Sequence, residues 1–151
     1  MESFVRGFIR ASLAWLGVGV LLGISMAFFP GRALAFRPAH AHANLLGFVS
    51  MMIFGVAYHV IPRFTGSPLH DRRLGPVHLV AANLGLALLV SGWIVRVWAF
   101  AAGDALVRAG GAVSAVGVGL FIYNIWRTLG ASPAPAPRRA PGSPPLPVVQ
   151  P

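Results

Sequence analysis

The sequence predicts an all-α protein, a four-helix bundle embedded in a membrane, and three observations carry that reading. Of 151 residues, 56% are hydrophobic and only 10% charged, against roughly 25% charged in ordinary soluble domains. The apolar residues collect into four runs, each long enough for the about 20 residues that cross a ~30 Å hydrocarbon layer. The segments between the runs are short and rich in Pro, Gly and Arg, so sequential helices become antiparallel neighbours.

The first run covers about residues 8–29 and is too long, without a small-residue cleavage pattern, to read as a removable signal segment. After "PGRALAFRP" the second covers about residues 39–62. The third, about residues 77–101, follows "PRFTGSPLHDRRLGP", and the fourth, about residues 106–128, follows a turn placed around "AGDAL". Residues 1–130 thus form one bundle. From residue 131 the text becomes "ASPAPAPRRAPGSPPLPVVQP", too rich in proline for a helix and too poor in apolar side chains to fold, and a disordered tail is expected.

Charge supplies orientation. The chain carries +9 overall and every basic residue is Arg. Arg6, Arg10, Arg63, Arg72, Arg73, Arg127, Arg138 and Arg139 fall on one side of the spans, and Arg32, Arg37, Arg96 and Arg108 on the other. The positive-inside rule then places both termini in the cytoplasm of a bacterial-type inner membrane, as a multi-pass protein. Arginines at the ends of apolar runs are topology signals, so nucleic acid is not an expected partner. No cysteine is present, which excludes disulfides, thiolate metal sites and iron–sulfur clusters.

Ionisable side chains inside a span are costly and tend to mark a site. On the second run His40 and His42 lie at the outer end and His59 at the inner end, about 25–28 Å apart at ~1.5 Å per residue, so no single metal or haem joins them. His40 and His42 are two residues apart, about 200° around a helix, and face different directions. At the inner end His59 and His78 sit at matching depth on the second and third helices and are candidates to face each other across one metal or haem iron. Arg96 lies in the third run at the outer depth, where it either snorkels or meets a buried anion. Met26 is the one soft ligand at that depth, and His70 reads as a solvated loop residue. Small residues at four-residue spacing, Gly19 and Gly23 on the first helix and Gly111, Ala115 and Gly119 on the fourth, allow close helix contact within the bundle or between protomers.

The string Arg37-Pro38-Ala39-His40, followed by Asn44, an apolar stretch, Ala57-Tyr58-His59 and Pro62-Arg63, resembles the second helix of the haem–copper oxidase catalytic subunit, including its C-type and nitric oxide reductase branches. In that family an outer-side histidine on this helix is an axial ligand of the low-spin haem. The resemblance puts that role on His40 if "RPAH" is the anchor, or on His42 if "HANLL" is matched, with His40 preferred. It covers the family's N-terminal helices only, so it implies haem b binding rather than a complete oxidase. Arg37 and Arg96 are then the expected propionate partners.

The leading functional expectation is a b-type haem protein in electron transfer, or in sensing a diatomic gas such as nitric oxide or oxygen, with a homodimer or a redox partner completing it. The alternatives are a non-haem copper or zinc site at the inner His59 and His78 pair, joined by His70, with His40 the candidate metal ligand at the outer end, and a cofactor-free structural or assembly subunit of a respiratory complex. Glu2, Asp71 and Asp104 fall outside the apolar runs as drawn, so the sequence offers no buried carboxylate for acid–base chemistry.

Overall fold

A computed structural model describes residues 2–131, and among these residues there is helix, turn and no strand. Of the expected tail, residues 131–151, all but Ala131 lies outside the described residues. Four helical stretches are long and apolar enough to span a membrane: Ser3–Phe28, Pro30–Thr65, Leu74–Val95 and Phe100–Leu129. The first is α1. The second is a continuous rod built from a 3-10 turn (Pro30–Arg32), α2 (Ala33–His42), a π-helical segment (Ala43–Ser50) and α3 (Met51–Thr65). The third and fourth are α4 (Leu74–Val95) and α5 (Phe100–Leu129).

The second stretch starts well before residue 39. Pro30 occupies the first position of its 3-10 turn, where a missing N–H costs nothing, and "ALAF" continues as helix, so most of the expected loop is helical. The turn between the last two helices also sits earlier than expected, at residues 96–99 rather than around "AGDAL". Asp104 therefore belongs to α5, where it pairs with Arg108 one turn on.

Packing follows the glycines. A Cβ on Gly85 would lie 3.0 Å from the Gly110 carbonyl oxygen, and one on Gly110 would lie 2.7 Å from the Gly85 carbonyl oxygen. The backbones of α4 and α5 thus touch directly, the geometry that lets helices associate tightly in lipid. Along this seam Gly92 meets Val107, Gly85 meets Ser114, and Gly117 meets His78 and Ala82. On the other side of the bundle Gly55 meets Phe8, Gly47 meets Trp15, Gly19 meets Asn44 and Gly23 meets His40. Each register descends along one helix as it ascends along the other.

The core gathers Phe4, Val5 and Phe8 of α1, Met51 and Tyr58 of α3, Leu86 and Val90 of α4, and Ile125 of α5. A polar tie crosses it at mid-depth, where the Trp15 indole N–H donates to Asn83 Oδ1 at 3.1 Å. At one end the loop of residues 66–73 is clamped to α5. Buried Asn124 accepts from the Asp71 N–H at 3.0 Å and donates to the Asp71 carbonyl at 2.8 Å, and Thr128 Oγ1 accepts from the His70 N–H at 3.0 Å. This end is called the loop end below; the opposite end carries His40, His42 and Arg96.

Candidate functional site

At the end opposite the loop, α2 presents its two histidines to different neighbours. His40 turns toward α1, where its Nδ1 meets the Gly19 carbonyl oxygen at 2.8 Å. His42 turns toward α4, with its ring stacked on Trp93 at 6.3 Å between centroids and its Nδ1 2.7 Å from the Pro38 carbonyl oxygen of its own helix. A carbonyl oxygen only accepts, so both Nδ1 atoms carry the proton and both rings leave the Nε2 lone pair available. That is the tautomer a ligating imidazole adopts, fixed and aimed by an outer hydrogen bond.

The His40 side is the more fully built. Gly19 and Gly23, four residues apart on α1, leave a hollow in which a Cβ on Gly19 would fall 2.5–2.7 Å from the Asn44 carboxamide and one on Gly23 3.1 Å from the His40 Cε1. Asn44 Nδ2 donates to the His40 carbonyl at 2.9 Å and stands 3.4 and 3.5 Å from the two ring nitrogens, at the long edge of hydrogen bonding. The small-residue pair on α1 is therefore consumed inside the bundle, Gly23 against the His40 imidazole and Gly19 against the Asn44 carboxamide. Met26 is three residues beyond Gly23, near the same face of α1.

The rod changes its winding at this point. The π-helical segment begins at Ala43, directly after His42, and contains Asn44. Such turns are rare, occur often at functional sites and shift the angular phase of the helix beyond them. No residue in "ANLLGFVS" announces it.

On the His42 side a stack continues through α4. The Arg96 guanidinium carbon lies 4.7 Å from the ring centres of both Trp93 and Phe100, and Arg96 Nη2 is 3.7 Å from Asp104 Oδ1. Trp93, Arg96 and Phe100, with Leu34, Ala35, Pro38 and Val97, line an open groove of ≈ 280 Å³. The anion that Arg96 meets is thus a largely buried carboxylate, Asp104, which the apolar runs alone place in a turn. Arg37 is exposed on α2.

The inner pair is arranged differently from expectation. His78 is fully buried, and the polar group that meets it from α3 is the Tyr58 hydroxyl, 3.1 Å from His78 Nδ1. Phe8, Phe54 and Phe121 pack around the ring with centroids 4.7–5.6 Å away. His59, one residue along and about 100° around the helix, accepts instead from Arg63 at Nδ1, 2.9 Å away. Two adjacent residues cannot both face α4, and the larger apolar ring of Tyr58 takes the core position. Nothing in this arrangement brings His59 and His78 to one ion, and among the described residues no three His, Cys, Asp or Glu side chains converge as a metal site. His70 is exposed, as expected of a solvated residue, with Nε2 3.5 Å from the Tyr123 hydroxyl.

Sequence comparison agrees with the family resemblance. No family model matches the chain. It is 27% identical to the Cbb3-type cytochrome c oxidase subunit CcoN1 of Stutzerimonas stutzeri, over 83% of this chain and 32% of that protein. It is 29% identical to a putative cytochrome c oxidase subunit 1-beta of Streptomyces avermitilis, over 83% of this chain and 24% of that protein. The corresponding protein of Streptomyces coelicolor is 32% identical over 62% of this chain and 18% of its own length. The chain spans about a third or less of the length of the curated relatives it matches. The chain is thus similar to the N-terminal part of haem–copper oxidase subunit one, and its described residues include four stretches able to span a membrane.

Proposed function

Proceeding from that relationship, we propose that the chain is a membrane-embedded b-type haem protein that uses His40 as an axial ligand, in electron transfer or in sensing nitric oxide or oxygen. The observation that carries the reading is the His40 setting. Its Nδ1–H is anchored on the Gly19 carbonyl, its ring lies against Gly23 beside the Asn44 carboxamide that fills the space above Gly19, and its Nε2 is the nitrogen that would hold a metal. His40 is also the residue on which the "RPAH" string of the resemblance places the ligand.

The donor set fits a haem on the ligand side. His40, an imidazole held by a backbone carbonyl, would hold the haem iron through its Nε2. When bound, the haem supplies the one-electron or gas-binding chemistry. The protein's own residues do the positioning: Gly19 fixes the tautomer, Asn44 braces the ring against α1, and Arg96, held between two aromatic rings, keeps a positive charge at this end. His42 presents the same tautomer toward α4 and is the competing ligand. Met26 or a residue from a second copy of the chain could also help to hold the haem, and a homodimer is part of this proposal.

Orientation is part of it too. The arginine distribution supports an up-and-down bundle in an inner membrane, with both termini cytoplasmic and His40 near the outer surface. A reporter fused after Thr128 is expected to be active in the cytoplasm, and periplasmic activity would reverse the sides. The haem assignment is tested by the optical spectrum of the purified protein and of its His40→Ala and His42→Ala variants. Loss of the haem bands in His40→Ala supports it, and full retention in both variants refutes it.

A further inference from the structure

The loop end carries a cavity that the haem proposal does not use. It encloses ≈ 370 Å³ where the N-terminus of α1, the end of α3 and the loop of residues 66–73 meet, and Glu2, Tyr58, His59, Arg63, Leu69 and Arg72 line it. The arrangement of donors is directional. Arg63 donates from Nη1 to His59 Nδ1 at 2.9 Å and to the His59 carbonyl oxygen. A guanidinium has no lone pair to offer, so His59 Nδ1 is the acceptor and the proton of the neutral ring sits on Nε2. Arg72 pairs with Glu2, Nη2 to Oε1 at 2.6 Å, while its side chain remains 73% exposed.

The lining therefore has two guanidiniums and an imidazole N–H against one carboxylate. Each guanidinium has five N–H donors in a planar fork, and the bonds described occupy only part of either fork. An occupant that satisfies the remainder needs several acceptor oxygens and a negative charge. Phosphate offers both, and arginine forks match it bidentately. The other walls are apolar, from Val5, Pro62 and Leu69, which suits the glycerol portion of a lipid headgroup as well as the phosphate itself. Basic pockets between helix ends at one membrane face bind anionic headgroups by the same physics.

We infer that this cavity is a binding site for a phosphate group, held by Arg63, Arg72 and the His59 Nε2–H, with Glu2 as a built-in competitor for Arg72. The phosphate belongs either to an anionic phospholipid or to a free ion. The inference is independent of the haem reading, since it uses the opposite end of the bundle and residues with no role there.

The test is calorimetric titration of the full chain in neutral detergent with two probes, inorganic phosphate and dihexanoyl-phosphatidylglycerol. Arg63→Ala and Arg72→Ala should each weaken binding about tenfold or more, the scale of one charge-assisted hydrogen bond. Glu2→Gln should tighten it by releasing Arg72, a gain that misfolding cannot produce. Arg127→Ala removes a charge from the same end but from a different cavity, and should leave binding unchanged. Saturable binding of the phospholipid alone identifies a headgroup, and comparable binding of both probes identifies the phosphate as sufficient; either supports the site. No saturable binding of either probe, or an equal response of Arg127→Ala and Arg63→Ala, overturns it.

Discussion

Replacing Gly19 by alanine perturbs the His40 site from outside the ligand. The added Cβ would stand 2.5–2.7 Å from the Asn44 carboxamide, too close for any real contact, so the carboxamide must rotate away. Doing so breaks its 2.9 Å bond to the His40 carbonyl, a loss of about 1 kcal/mol, and overpacking adds roughly 1–3 kcal/mol if the helices must separate. Helix propensity returns up to about 1 kcal/mol. The net cost is about 1–3 kcal/mol, which a folded bundle survives, while the imidazole loses its Asn44 brace. Gly17, two residues away on the same helix, faces open space, so Gly17→Ala should be neutral or slightly stabilising. The assay is thermal unfolding followed by circular dichroism in detergent, with haem quantified by the pyridine haemochrome. Gly19→Ala should lower both stability and haem content, and Gly17→Ala neither. If the two variants behave alike, the packing argument for the His40 site is wrong.

Two further outcomes rest on other contacts. Asn124→Ala leaves the Asp71 N–H and carbonyl without their partners, at about 1–3 kcal/mol for each group that stays buried. The loop of residues 66–73 should then open, seen as faster tryptic cleavage at Arg72 and Arg73 with haem content unchanged. Gly111 and Gly119 have open space where a Cβ would point, whereas Gly110 and Gly117 on the same helix pack against α4. If the outward pair lies in a homodimer contact, Gly111→Leu with Gly119→Leu should yield a stable monomer by light scattering, where Gly110→Leu should unfold the chain.

The four spanning stretches were legible because the length of an apolar run is read directly along the chain. Their ends were less so. The turn at residues 96–99 contains Val97, Trp98 and Ala99, which extend the apolar run by composition, while the close packing of Gly103 on Arg96 across the turn involves residues that no local pattern singles out. Depth was also legible, since it counts residues: His59 and His78 do lie near the same end. Rotation was not, because adjacent positions on a helix differ by about 100° and the π-helical segment resets the phase ahead of α3. Tyr58 thus took the place expected of His59. Gly19 and Gly23 were readable as close-contact positions, but their partners, Asn44 and His40, lie on another helix and left no local signal. The divergence of His40 and His42 was the easiest inference at the site, for two residues apart in any α-helix must point to different neighbours.

The central claim is that His40 holds a haem, and the absorption spectrum of the purified full chain beside its His40→Ala variant tests it most directly. The account predicts a Soret band with reduced α and β bands in the wild type and their loss in His40→Ala, while circular dichroism shows the helices intact. A colourless wild-type protein that takes up no added haem, or a His40→Ala variant with the full wild-type spectrum, would contradict it.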